Sequence, residues 1–373
     1  MMVHIQQGDE KSAPVMARST VGGAVRYVRP VSRREAGELV ATVYDQIAEE
    51  FALVPPMTLH SPVPEILAGV WCVAREAFVV NHAGRARRET VAAAISRTND
   101  CPYCVEVHTG MLHAAAEHRL AAGLLTVEGA RAAAEDNPLV AWGLATRSPG
   151  VAILANPPFA PDEAPQILGT AVIFHFINRM VNIYLDETPM PVKMRGTTLR
   201  SMAGRLFGAT LGRKIFHIEA APGRSLSLLP DAPLPEEFGW ARSNPAVAGA
   251  LARMAHAIES EGTASLPPSA IRIVRDHLAG WNGEDPGLDA RWLDDAIAPL
   301  AGETERAAAQ LALLAALTSY RVDAHIVRAF RRHFPTPQHL IAATAWGSFE
   351  AARRISTWLS SSENERIRKG MVT

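Results

Sequence analysis

The sequence predicts an all-α protein, and three observations predict it. Apolar residues recur at three- and four-residue spacing along most of the chain, as in Leu39, Val43 and Ile47. Sustained period-two alternation is missing. No Asn-Gly or Asp-Gly turn joins two β-branched runs.

Taken in order, the periodicity predicts helices over Ser32–Phe51, Glu65–Val80, Arg88–Arg97 and Cys101–His118. Further helices are expected at Val127–Glu135, Pro138–Thr146 and Asp162–Leu185. The prolines between Leu53 and Pro64 break the first two apart. Prolines and glycines then accumulate from 188 to 240, which reads as a connector with one helix near Gly196–Leu211. Helical patterns resume at Pro245–Ser260, Pro268–Gly280, Leu288–Pro299, Glu303–Ser319, Asp323–His333 and Pro337–Leu359. The most apolar run, Ile167–Leu185, is interrupted by His175, Asn178, Arg179 and Asn182 and is expected to be a buried helix, not a membrane span.

Length and charge narrow the setting. The 373 residues suffice for two domains with cores of their own. Lys plus Arg is 37 against 38 Asp plus Glu, a balance that gives no reason to expect nucleic acid or an anionic membrane as partner. Three cysteines make no disulfide framework, and Met1–Gly23 lacks the apolar core of a signal peptide, so a reducing, cytoplasmic setting is expected.

The chemistry concentrates between Arg88 and His118. Cys101 and Cys104 form a C-x-x-C, His108 follows one turn later, and Glu89 stands twelve residues upstream of Cys101. Asp100 is expected to cap the cysteine helix, with Pro102 in its first turn. In such a helix positions 101, 104 and 108 share a face. The turn Thr98-Asn99-Asp100 predicts an antiparallel hairpin whose first helix offers Glu89 among Ala92, Ala93 and Ser96. Thiolates are the reactive form of cysteine, and a helix N-terminus or a neighbouring base favours them. Helix-end electrostatics favour Cys101 as the more acidic thiol, while Cys104 pairs i, i+4 with His108, and Glu89 is placed to orient that imidazole. A structural zinc site on C-x-x-C-x-x-x-H lacks an evident fourth ligand; a thioredoxin-like motif lacks its βαβ setting; two unreactive helix cysteines are the plain alternative. Cys72, beside Trp71 in an apolar helix, reads as core. His113 and His118 rotate off the reactive face, and His175 with Asn178 reads equally as a buried polar network or a pocket lining.

The second half is expected to repeat the first. Ala68-Gly69 has a counterpart in Ala248-Gly249, Thr98-Asn99-Asp100 in Trp281-Asn282-Gly283, and the helix from Thr170 in that from Thr344. The second of these offsets puts Arg272, Glu284, Gly287 and Arg291 where the first half has Glu89, Cys101, Cys104 and His108, so the second copy is expected to be chemically silent.

These residues resemble the alkylhydroperoxidase D-like, or carboxymuconolactone decarboxylase-like, all-helical family. Glu89, Cys101-Pro102-Tyr103-Cys104 and His108 carry the resemblance, supported by VYDQIAEEFALVPP from Val43, HSPVPEILAGVW from His60 and FINRMVN from Phe176. It is strong over 30–186 and weaker over 240–360. The organisation it implies is a tail at 1–29, a redox domain at 30–187, the connector at 188–240, a degenerate cysteine-free domain at 241–362 and a tail at 363–373. It further implies a thiol-dependent peroxidase in which Cys104 attacks a hydroperoxide, Cys101 resolves, and Glu89 and His108 relay protons. No bound cofactor is implied; the disulfide is re-reduced by an external dithiol such as a dihydrolipoyl group on a partner protein, and the chain is expected to be a homo-oligomer. Tyr103 departs from members that carry a histidine there. Substrate-pocket candidates are Tyr103, His175 and Asn178; no metal ligand is expected. Alternative functions are lactone or decarboxylase chemistry and a redox sensor that does not turn over.

Overall fold

The computed structural model describes residues 25–80, 84–189, 220–287 and 289–370, with isolated positions between 190 and 219 and side chains up to 359. The helix expected near Gly196–Leu211 lies outside these residues, apart from the isolated positions. Among the described residues the fold is all-α, with no strand.

The local signals act as their chemistry requires. α1 is Glu38–Glu50, starting later than expected, after Gly37 in extended backbone. α2, Pro64–Val73, opens on a proline at N1 after an extended Val63. It continues into a π-helical segment, Ala74–Val79, that periodicity does not anticipate. α3 is Arg85–Thr98 and α4 Pro102–Ala114. α5 (His118–Leu124), α6 (Val127–Asp136) and α7 (Pro138–Ala145) form a peripheral layer. Asn137 caps α7 by accepting from the N–H groups of Leu139 and Val140. α8, Ala164–Tyr184, is the apolar helix of the sequence; 94% of its most apolar window is buried inside the fold, so it is a core helix.

The second half supplies α9 (Pro245–Ser265), α10 (Pro268–Gly280), α11 (Arg291–Ile297), α12 (Glu303–Leu317), α13 (Ala324–Arg331) and α14 (Pro337–Gly370). α2 packs on α9, α8 on α14, α3 on α8 and α12 on α14. One continuous apolar core therefore includes Trp71 and Phe176 from the first half with Met254 and Phe349 from the second. The approach is close because small residues stand at the crossings. A Cβ on Gly69 would lie 2.9 Å from the Met254 Cα, and one on Gly347 would lie 2.4 Å from the Ala312 carbonyl oxygen. Polar ties follow the same seam: the Tyr184 hydroxyl lies 2.9 Å from Thr344 Oγ1, and Arg179 Nε donates to the Ala316 carbonyl at 2.7 Å.

The positions set opposite the reactive residues by the sequence offset fall elsewhere. Arg272 is on α10, Glu284 and Gly287 are in the loop before α11, and Arg291 starts α11. The hairpin-like pair in the second half is α12 and α13, joined by a short 3-10 turn at Ser319–Arg321.

Gly69→Val should lower stability by about 1–3 kcal/mol through overpacking against the α9 backbone. A denaturant midpoint that falls without a change in slope would show it.

Candidate active site

The α3–α4 hairpin turns on Asp100, whose φ of +48° is the left-handed conformation that Asp and Asn tolerate better than most residues. The expected N-cap role thus moves one residue along: Cys101 caps α4, with no side-chain cap bond, and its N–H donates to the Ser96 carbonyl at 3.0 Å. Asp100 is spent on the chain reversal instead. Pro102 occupies N1, so Cys104 lies in the first turn and His108 one turn further on the same face.

Glu89 sits in the middle of α3, wholly buried. His108 Nδ1–H donates to Glu89 Oε2 at 2.7 Å, and Arg85 Nε–H donates to Glu89 Oε1 at 2.8 Å. Burial alone would raise the Glu89 carboxyl; the Arg85 charge and then His108 overcome it and hold the group below its ordinary value. The His108 ring stands edge-on to Phe174 of α8 and Phe78 of the π segment, with centroids 4.6 and 5.8 Å away. The wider π turn carries Phe78 over both Glu89 partners: the Arg85 guanidinium lies 4.0 Å from its ring centroid.

A narrow cavity of ≈ 60 Å³ opens against this group. Cys104, Tyr103 and His108 line it, with apolar walls that include Phe78, Trp71, Phe174 and Ile177. Its partly exposed lining residues are Phe51, Val54, Pro56 and Val107. Cys101 does not line the cavity and is fully buried. Burial and then the adjacent Cys104 thiol push the Cys101 thiol well above its ordinary value. The helix-end argument for an acidic Cys101 is therefore overturned: the cap position carries a favourable field, but desolvation outweighs it. All three cysteines are free thiols. Cys72 is core as expected; its Sγ donates to the Ser225 carbonyl at 3.1 Å, and burial pushes it up to about 12.

The pocket candidates divide. Tyr103 lines the cavity, whereas His175 and Asn178 do not. His175 Nε2 lies 3.0 Å from Thr146 Oγ1 and its Nδ1 3.1 Å from Asn99 Nδ2, while Asn178 accepts from Asn99 and donates to Ser96 Oγ, each at 3.0 Å. Burial, then Arg179 and Arg147, hold His175 well below its ordinary value. This network braces the α3–α4 turn from behind. Periodicity could not choose between the two readings because a polar pair on an apolar helix face looks the same in both. Arg85, Phe78 and Phe174 were missed altogether. Only Arg85 left a local signal, four residues before Glu89.

Fold and site together define an all-helical protein with a buried C-x-x-C pair opposite a Glu–His couple. Over 346 residues, 92% of this chain and 97% of the relative, the sequence is 37% identical to alkyl hydroperoxide reductase Rv2159c of Mycobacterium tuberculosis. The chain belongs to that AhpD-like family. No family model matches it, and no solved structure does.

Burial predicts the order of thiol labelling. A small alkylating reagent should modify Cys104 in the native protein, and Cys101 and Cys72 only on unfolding, as peptide mass spectrometry would read out.

Proposed function

We propose that the protein is a thiol-dependent peroxidase acting on hydroperoxides through a Cys101–Cys104 disulfide cycle. The observation that carries this reading is the division of the pair: Cys104 faces the apolar cavity beside His108, and Cys101 lies buried behind it. The relative's name, alkyl hydroperoxide reductase, supports peroxidase-like chemistry at family level.

His108, held by Glu89, takes the Cys104 proton. The thiolate attacks the distal peroxide oxygen, the O–O bond breaks, and the alkoxide leaves as alcohol after gaining a proton. Cys104 is then a sulfenic acid. The Cys101 sulfur attacks it, the S–O bond breaks, water leaves, and the disulfide closes. An external dithiol returns the two electrons; a dihydrolipoyl group on a partner protein fits this role. The apolar walls suit an organic hydroperoxide with an unbranched chain, since little free volume separates them.

We also infer that the second half is a cysteine-free copy of the first. The pairing of α3 with α8 and of α12 with α14 supports this, as do the cross-half contacts of α2 with α9 and α8 with α14. In this reading the α12–α13 pair stands in for the cysteine hairpin and contributes packing, not chemistry.

Stopped-flow oxidation of the reduced protein by an alkyl hydroperoxide is the test. Wild type should form a Cys101–Cys104 disulfide far faster than free cysteine oxidises. Cys104→Ser should lose at least about a thousandfold in rate. Cys101→Ser should react once and stop at a sulfenic acid on residue 104. Thiols no faster than free cysteine, or sulfenic acid trapped on Cys101, would sink the reading.

A further inference from the structure

We propose that Arg85 is a positioning residue: it supplies the positive charge that balances Glu89, so that His108 remains a neutral base. The two carboxylate oxygens are divided between them. Oε1 accepts from Arg85 Nε, and Oε2 accepts from His108 Nδ1. That second bond fixes the tautomer and leaves Nε2 as the nitrogen able to take a proton. Both partners of Glu89 are almost completely buried, so the count of charge inside the site decides its protonation.

With arginine cationic, carboxylate anionic and imidazole neutral, the buried group sums to zero. Without the Arg85 guanidinium the Glu89–His108 pair would lose the cation bonded to it and carry a negative charge, opposed through space by Arg88. Protonating His108 is then the nearest way to neutrality, and an imidazolium cannot accept a proton from Cys104. An arginine is suited to the task because it does not lose its own proton at any accessible pH. It is also held in place: the guanidinium lies over Phe78, and Nη1 donates to the Phe78 carbonyl at 3.4 Å.

Arg88, on the same helix, donates Nε and Nη2 to the carbonyls of Phe78 and Val80, and its charge acts on Glu89 through space. In and before the π segment, Arg75 is committed to Glu50 and Glu76. α8 presents Phe174 to the site, and α4 presents the Cys104 thiol and Tyr103. The Glu89 carboxyl is held low, with Arg85 as the first influence opposing burial and His108 the next.

The kinetic consequence rests on the peroxidase reading, but the titration does not, and this separates the two. Histidine ring NMR on the reduced full-length protein, with His108 assigned by loss of its signal in His108→Gln, should be recorded against pH for wild type, Arg85→Met, Arg85→Lys and Glu89→Gln. Arg85→Met should move the midpoint of His108 protonation up by at least about one pH unit, tenfold in proton affinity. Arg85→Lys should restore most of that change. Glu89→Gln, which leaves an uncompensated positive charge, should move the midpoint down. In stopped flow with an alkyl hydroperoxide, the acidic limb of the rate profile should rise in Arg85→Met by the same amount. An unmoved His108 midpoint in folded Arg85→Met, or equal shifts in the methionine and lysine variants, would overturn the proposal. If Arg85→Met does not fold, an unmoved or rising midpoint in Glu89→Gln overturns it instead. A wild type inert to peroxide but showing the predicted titrations would overturn only the peroxidase reading.

Discussion

A carboxylate with no exposure to water is the constraint around which this site is arranged. Burying a charge costs several kcal/mol, and the cost is met only where geometry satisfies both oxygens. Glu89 meets that condition from two directions, along its own helix to Arg85 and across the hairpin to His108. Removing one partner of such a buried group typically costs about 3–5 kcal/mol, so the group holds α3 and α4 together as well as orienting the imidazole. Its orientation is what places His108 on the same wall as Cys104.

The rest of the first half serves this pairing. Asp100 takes the left-handed conformation within the three-residue turn 99–101, which fixes the separation between the carboxylate helix and the thiol helix. The polar network of Asn99, His175 and Asn178 braces that turn, and Arg179 links it to the end of α12. The π segment brings Phe78 to the imidazole and to the guanidinium at once. An α-helical register there would turn the ring off this face, since each added residue rotates a helix by about 100°. The result is an apolar-walled cleft lined by one imidazole and one thiol.

The second half enters as structure. Its helices α9 and α14 supply the far side of the core against α2 and α8, which carry cavity residues on their other faces. Gly69 at the α2–α9 crossing lets the two backbones approach to contact, so the cavity wall is set partly by residues far from any reactive group.

Much of the site was legible as local pattern. Helix class, the hairpin, the C-x-x-C with its histidine and the glutamate all depend on short-range spacing, and periodicity reports spacing well. Capping prolines and asparagines at 137 and 244 marked helix starts for the same reason. What local pattern does not encode is burial. The sequence places both cysteines on one helix face, but only packing makes Cys101 dry and Cys104 a cavity wall. Likewise it offers His175 and Asn178 as polar residues on an apolar helix, and only their neighbours make them a brace. Chemistry-bearing residues are thus determined by the sequence alone, whereas their protonation, access and division of labour are decided by tertiary structure, because desolvation depends on which distant residues close around them.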